Sequence, residues 1–168
     1  TGYSGTTLFG PYDSVNRGQF ATILHRLAGK PEWEGGKVFP DVAPGTFYYE
    51  AVEWASRDDV GVITGYTDTG LFKPNDNITR EQMALMMFRY AKKFTDASIW
   101  KEADPTLLDG FTDSSKLSSY AKDAMVWAVT NGLITGKNEG TMLDPQGMTS
   151  RAECATVLHR FDVKVNPS

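Results

Sequence analysis

The stretch Thr64-Gly-Tyr-Thr-Asp-Thr-Gly-Leu-Phe-Lys-Pro74 occurs in related form at Thr1-Gly-Tyr-Ser-Gly-Thr-Thr-Leu-Phe-Gly-Pro11 and at Thr135-Gly-Lys-Asn-Glu-Gly-Thr-Met-Leu-Asp-Pro145, aligning without gaps. Six residues after each proline comes an arginine (Arg17, Arg80, Arg151), and nine later a second one (Arg26, Arg89, Arg160). Self-similarity at a fixed spacing marks a chain built from repeated supersecondary units, none of which can bury its apolar face alone. Working upstream, two of the copies carry Phe-x-Asp (Phe39/Asp41 and Phe111/Asp113) and then Trp-Ala (Trp54/Ala55 and Trp127/Ala128). The first copy lacks that half, so the 168 residues read as two and a half repeats.

Each arginine follows a good helix cap, Asn16, Thr79 or Ser150, and three residues beyond the cap stands Gln19, Gln82 or Glu153. A cap whose side chain takes one orphan N–H while the third helical residue reaches back to another is a capping box, here predicted three times. Onward, the columns Phe20/Met83/Cys154, Ala21/Ala84/Ala155, Leu24/Met87/Leu158 and Leu27/Tyr90/Phe161 fall at offsets of 3, 4, 7 and 10 from the arginine. Those offsets line one face of an α-helix. Ala51, Val52, Trp54 and Ala55 match Ala124, Met125, Trp127 and Ala128 and predict a second helix per repeat. The expected fold is all-α, tandem helix-loop-helix units: residues 1–29 as the second half of repeat 1, 38–93 as repeat 2 and 111–163 as repeat 3, with 30–37 and 94–110 as linkers.

Composition sets the outer limits. Hydrophobic residues make up 40% of the chain, enough for a core, while 17 basic against 21 acidic residues give a formal charge of −4, which speaks against a general nucleic-acid binder. No apolar run is long enough to span a bilayer, so no membrane insertion is expected, and the first residues lack the layout of a secretory signal. A single cysteine, Cys154, rules out an internal disulfide and a multi-thiolate zinc site.

Phe-x-Asp, Trp-Ala, Gly-Leu/Val-Ile-Thr-Gly, Phe-x-Pro and Thr-Arg-x-Gln/Glu, in that order, resemble the surface-layer homology repeat of bacterial envelope proteins. The resemblance implies three repeats in a pseudo-three-fold arrangement around a central three-helix bundle, with grooves between neighbours. It also implies a non-catalytic module on the bacterial cell surface that anchors an exported protein to a secondary cell-wall polysaccharide, in many members through a pyruvylated terminal sugar. The family's Thr-Arg-Ala-Glu motif carries over to Asn16-Arg17-Gly18-Gln19, Thr79-Arg80-Glu81-Gln82 and Ser150-Arg151-Ala152-Glu153. Gly18 departs from it and weakens a helix start by about 1 kcal/mol relative to alanine.

Candidate ligand residues follow. Arg17, Arg80 and Arg151 each open a helix, where unpaired N–H groups and the helix dipole favour an anion, and a guanidinium fork can hold a carboxylate through two bonds. The same arginines admit a packing role, paired with Asp41 or Asp113 of a neighbouring repeat; the resemblance favours ligand contact. Gly2, Gly65 and Gly136, beside Tyr3, Tyr66 and Lys137, offer groove floors that a sugar ring can approach. Trp54 and Trp127 admit stacking on pyranose faces or a place in the core. Arg26, Arg89 and Arg160 read as solvated or interhelical pairing residues.

His25 and His159 share a column with Phe88, which reads as an apolar packing slot and not a metal ligand or base. Cys154 reads as a small buried hydrophobe. Asp68-Thr-Gly70 and Asn75-Asp-Asn77 lack EF-hand spacing, and the repeat-equivalent Asp41 and Asp113 are unsuited to the two unlike roles of a glycosidase pair. No catalytic residue, metal or cofactor is expected. The alternatives to wall anchoring are a scaffold for another envelope protein and a glycan-processing enzyme whose catalytic part lies elsewhere. Leu8, Phe9, Phe20 and Leu24, deprived of a helix partner, would form an apolar patch and a route to dimerisation.

Overall fold

The computed structural model describes residues 10–167. Among them are five α-helices: α1 (Arg17–Leu27), α2 (Tyr49–Ser56), α3 (Arg80–Phe94), α4 (Lys122–Thr130) and α5 (Arg151–Val165). Short 3₁₀ turns cover Ala97–Ile99, Pro105–Gly110, Ser114–Lys116 and Ser119–Ala121. Extended pairing among the described residues is limited to isolated bridges, with no sheet.

The three capping boxes form as the spacing requires. Asn16 Oδ1 accepts from the Gln19 N–H at 2.8 Å while Gln19 Oε1 accepts from the Asn16 N–H at 3.0 Å; Thr79/Gln82 and Ser150/Glu153 repeat the exchange. The remaining N–H groups of each helix start go to the next repeat. Arg17 and Gly18 donate to the carbonyls of Asp76 and Pro74, Arg80 and Glu81 to Gly147 and Pro145, and Arg151 and Ala152 to Asp13 and Pro11. Just before the caps, Val15 N–H donates to Thr149 O, Thr149 N–H to Ile78 O, and Ile78 N–H to Val15 O, at 2.8–3.0 Å. These three bonds close on themselves, with one residue from each copy.

Gly18 is explained by this meeting of repeats. A Cβ there would stand 2.8 Å from Tyr48 Cδ1 and 3.2 Å from Pro74 O. The lost helix propensity is the cost of letting α1 meet repeat 2 closely.

The main helix pairings run between consecutive copies, α1 against α2 and α3 against α4. Trp54 and Trp127 anchor them. The Trp54 ring lies 5.1 Å from His25 and 5.6 Å from Phe94, and the Trp127 ring 5.5 Å from Phe88. With 1% and 5% of their surface exposed, both tryptophans are core residues with no face open to a pyranose, which corrects the stacking alternative. Phe20, Leu24, Phe72, Ile78, Met83, Met87, Met125, Leu143, Cys154 and Phe161 join the same core. Because Phe20 and Leu24 are fully buried, they form no surface patch for dimerisation; Leu8 and Phe9 lie outside the described residues.

The segments read as linkers are packed. Trp100 sits 5.0 Å from Trp127 and 5.4 Å from Phe161, and its Nε1–H donates to Thr95 Oγ1; Leu108 is buried. In 30–37, Trp33 meets Tyr49 edge-on, Pro31 O bonds the His25 ring and Lys37 N–H donates to Ser56 Oγ. Residues 94–110 thus strap α3 to α4 and α5 instead of hanging between them. His25 fills its packing slot beside Trp54, whereas His159 is exposed and, among the described residues, makes no ring contact.

Candidate functional site

In each full repeat, the chain leaving the first helix turns at Thr-Gly, runs out and back through the loop, and enters the capped helix. The Phe-x-Asp aspartate holds this loop. Asp41 accepts from the N–H groups of Phe72 and Lys73 at 3.0 and 2.6 Å, and Asp113 from those of Leu143 and Asp144, both at 2.8 Å. Burial alone would raise the Asp113 pKa, but these N–H donors hold it below the usual carboxylate range. Both carboxylates are thereby committed to backbone, which corrects their placement as ligand groups or as ion-pair partners of the arginines.

The arginines grip the opposite side of the same loops. Arg17 Nε–H donates to Phe72 O at 2.9 Å, and Arg80 Nε–H to Leu143 O at 2.8 Å. Each loop is therefore held by its own aspartate through N–H groups and by the preceding repeat's arginine through a carbonyl. What these arginines do not do is complete an N–H anion site: the helix-start donors are already spent on loop carbonyls and caps.

Two equivalent grooves result. The first, about 370 Å³, is lined by Arg17, the Val62–Asp68 turn, Gln82, Leu85, Met86, Arg89 and Tyr120. The second, about 250 Å³, is lined by Arg80, the Leu133–Gly136 turn, Ala152, Glu153, Thr156, Val157 and Arg160. Gly65 and Gly136 form the corners, with φ of +70° and +87°; a Cβ would come within 2.5 Å of Phe39 Cε1 at Gly65 and 2.8 Å of Phe111 Cε1 at Gly136, so only glycine fits. A larger hollow of about 500 Å³ beside Pro105 and Ser114 has, among the described residues, Lys122 as its single cation and no aromatic ring, and offers less to a charged ligand.

In the first groove the Arg17 guanidinium carbon lies 4.7 Å from the Tyr66 ring centre and 4.8 Å from that of Phe72, and Lys73 Nζ is 4.6 Å from the Tyr66 ring. Tyr66 Oη accepts from Gln82 Nε2 at 2.9 Å. Among the described residues Arg89 makes only long bonds, to Val62 O at 3.4 Å and Thr64 Oγ1 at 3.5 Å. Burial pulls the pKa of both Arg17 and Arg89 down from the ordinary arginine value. Among the described residues neither has a carboxylate in ion-pair contact; Asp68 stands exposed on the rim. Two partly desolvated guanidiniums facing one cleft are the arrangement that an incoming anion relieves.

In the second groove, Arg80 Nη1 donates to Glu153 Oε1 at 3.0 Å, and Lys137 Nζ lies 2.8 Å from Asp144 Oδ2 and 3.3 Å from Glu153 Oε1. Burial would raise the Glu153 pKa, but the Ser150 N–H and the charges of Lys137 and Arg80 hold it below the usual range. Arg160 bonds Leu133 O at 3.1 Å, matching Arg89. Arg151 is half-buried. Gly2 and Tyr3, assigned to the corresponding loop of the first copy, lie outside the described residues.

Arg89 and Arg160 belong to the grooves, although their distance from the helix start had set them aside. Counted from the arginine, offsets 2, 5, 6 and 9 place Gln82, Leu85, Met86 and Arg89 on one helical stripe, a signal already present in the sequence. Tyr120, from the repeat 3 entry, had no such signal; its phenol donates to Glu81 Oε1 at 2.8 Å and is pushed up to about 12, first by burial and then by that carboxylate.

Among the described residues no group of three or more His, Cys, Asp or Glu is arranged to hold a metal, and no helix is long and apolar enough to cross a membrane. Burial drives the Cys154 thiol up to about 12, which leaves no thiolate for chemistry near neutrality.

Helical repeats that meet in clefts, each cleft lined by more than one copy, define a tandem-repeat module. The chain belongs to the S-layer homology domain family: that family's model matches residues 38–84 and 110–155. It is 35% identical to an endoglucanase of Bacillus sp. (strain KSM-635) over 98% of this chain and 16% of that protein. It is 33% identical to the surface-layer 125 kDa protein of Lysinibacillus sphaericus, over 90% of this chain and 12% of that one. With the S-layer protein sap of Bacillus anthracis it shares 26% identity over 92% of its own length and 18% of the relative's. The chain thus spans less than a fifth of the relatives it matches. It is a surface-associated extracellular domain, and the likeness to enzymes lies in the non-catalytic share of their length.

Proposed function

We propose that this module anchors its protein to the cell wall by binding a secondary cell-wall polysaccharide through the inter-repeat grooves, with a carboxylate-bearing sugar such as a pyruvate ketal as the recognised end. The observation that carries this reading is the pair Arg17, buried, and Arg89, half-buried, whose guanidiniums line one glycine-cornered cleft with no carboxylate in ion-pair contact among the described residues. The closed cycle of bonds among Val15, Ile78 and Thr149 supports a three-fold arrangement of the capped helices, and a central bundle is part of the proposal. An acidic module gains no long-range steering toward an acidic polymer, so recognition is local, and repeated grooves on one polymer raise avidity.

The test is calorimetric titration with purified secondary wall polysaccharide, before and after its ketals are removed. The intact polymer should bind, and ketal removal should weaken binding at least about tenfold, which is about 1.4 kcal/mol. Arg89→Ala and Arg17→Ala should each weaken it by about 10- to 100-fold while the helical circular dichroism stays. Arg89 is the safer of the two, because Arg17 also holds the repeat 2 loop. Equal binding of both polymers, or of neither, overturns the reading.

A further inference from the structure

Capped and entry helices do not match in number. The described residues hold three capped helices, α1, α3 and α5, but two entry helices, α2 and α4, each laid on the capped helix of the preceding copy. Counted from the opening arginine, offsets 4, 7, 8 and 11 form one helical face: Ala21, Leu24, His25 and Ala28 on α1, and Ala84, Met87, Phe88 and Ala91 on α3. The entry segment meets both faces alike. Its start lies at offset 1, where a Cβ on Gly18 would touch Tyr48 and where Tyr120 bonds Glu81, and its tryptophan lies at offset 8, with Trp54 5.1 Å from His25 and Trp127 5.5 Å from Phe88. At these seams Ala21, Leu24, Ala84 and Met87 are buried. On α5 the same offsets read Ala155, Leu158, His159 and Asp162; no described helix is laid along them, Leu158 is half-buried and the other three are exposed. Ala155 repeats the small residue that lets a helix approach, Leu158 repeats Leu24 and His159 repeats the ring beside Trp54, while Asp162 departs from the alanine of the other two copies.

The open face is the third of a set. Bonds among Val15, Ile78 and Thr149 join the three helix starts in a cycle, and α1 and α3 already carry an entry helix, so α5 continues an interface built twice in this molecule. The 168 residues hold two Trp-Ala pairs, Trp54-Ala55 and Trp127-Ala128, and both are in place. We infer that the Ala155–His159 face of α5 docks the opening half of an S-layer homology repeat supplied from outside these 168 residues, a short helix that sets its Trp-Ala pair over Ala155 and His159. Docking there is independent of glycan binding, since the groove residues Glu153, Thr156 and Arg160 lie on the neighbouring stripe of α5.

The probe is a synthetic peptide of this chain's residues 38–65, which carries α2 and its entry, titrated into the isotope-labelled chain. Saturable shifts are expected at the Ala155 and His159 N–H groups and at the His159 ring protons, which the arriving indole shields. Ala155→Glu changes an exposed position and should leave the helical circular dichroism of the free chain intact. It should weaken peptide binding at least about tenfold, as should Trp54→Ala in the peptide. Because a short helix is marginal on its own, a second format places a copy of residues 38–63 directly ahead of Thr1 and holds the donor at a high effective concentration. That fusion should show the same shifts and a melting temperature raised by about 4 °C or more, both cancelled by Ala155→Glu. Absence of the shifts in both formats, or shifts indifferent to Ala155→Glu, overturns the inference. Sedimentation of the chain alone separates the rival occupant: a dimer that Ala155→Glu abolishes puts a second copy on this face and overturns it as well.

Discussion

Trp54→Ala should lower the unfolding free energy by about 3–5 kcal/mol, the range for removing a fully buried large aromatic side chain. The ring is 1% exposed and joins three elements: it stands on α2, faces His25 of α1 and stacks on Phe94 at the end of α3. Truncation removes its own apolar burial and leaves a cavity at the α1–α2 seam, where helices of consecutive copies meet. Against the roughly 5–15 kcal/mol that holds a typical domain, this is a large share. Urea denaturation followed by circular dichroism measures it, and Trp54→Phe should recover much of the loss. A decrease below about 1 kcal/mol would show that the seam does not depend on this ring.

What was legible in the sequence was what short-range spacing encodes. The cap, the arginine after it and the apolar columns at 3, 4, 7 and 10 all lie within one helix, so three aligned copies sufficed to place α1, α3 and α5 and their capping boxes. Long-range partners were another matter. Arg17 bonds the carbonyl of Phe72, and Arg80 that of Leu143, and no local pattern reveals a partner some sixty residues away. Asp41 and Asp113 were visible as a motif, but their use of two loop N–H groups each belongs to the folded loop.

Composition misled where it stood in for packing. Gly35-Gly36 and Pro105 suggested linkers, yet a Cβ at Gly36 would overlap the Glu53 carbonyl, and Pro105 opens a 3₁₀ turn that brings Leu108 inside. Gly36 and Pro105 thus serve packed segments. The helix-start N–H groups were misread for a related reason. An isolated helix leaves them unpaired, but here the loop of the next copy fills the place an anion would take. The anion-receptive feature is displaced to side chains, Arg17 and Arg89, the second of which lies on the helical stripe at offsets 2, 5, 6 and 9 from Arg80.

Glu81→Ala should cost about 2–4 kcal/mol, somewhat below Trp54→Ala, because it strands several donors at once. This carboxylate is 3% exposed and accepts from Ser118 N–H at 3.1 Å, Ser118 Oγ at 2.7 Å, Tyr120 Oη at 2.8 Å and Gln146 Nε2 at 3.3 Å. It thereby ties the start of α3 to both the entry and the loop of repeat 3. The equivalent positions, Gly18 and Ala152, carry no such group, so the tie is peculiar to this junction. Tyr120 is 56% exposed, so water can take up its bond once the carboxylate is gone, which keeps the loss below the sum of the separate bonds. A second readout separates loss of this contact from general unfolding. The Tyr120 phenol, pushed from 10.0 up to about 12 by desolvation at its Glu81-facing end and by Glu81 itself, should fall toward 10 in the variant. Since the folded pKa is the higher one, the phenol's contribution to stability is complete below pH 10 and is lost as pH rises toward about 12. Wild type should therefore lose stability over that alkaline window, and the variant should lose less. NMR titration of the Tyr120 ring with parallel alkaline denaturation measures both, and an unchanged phenol pKa in a destabilised variant would refute the Glu81–Tyr120 coupling.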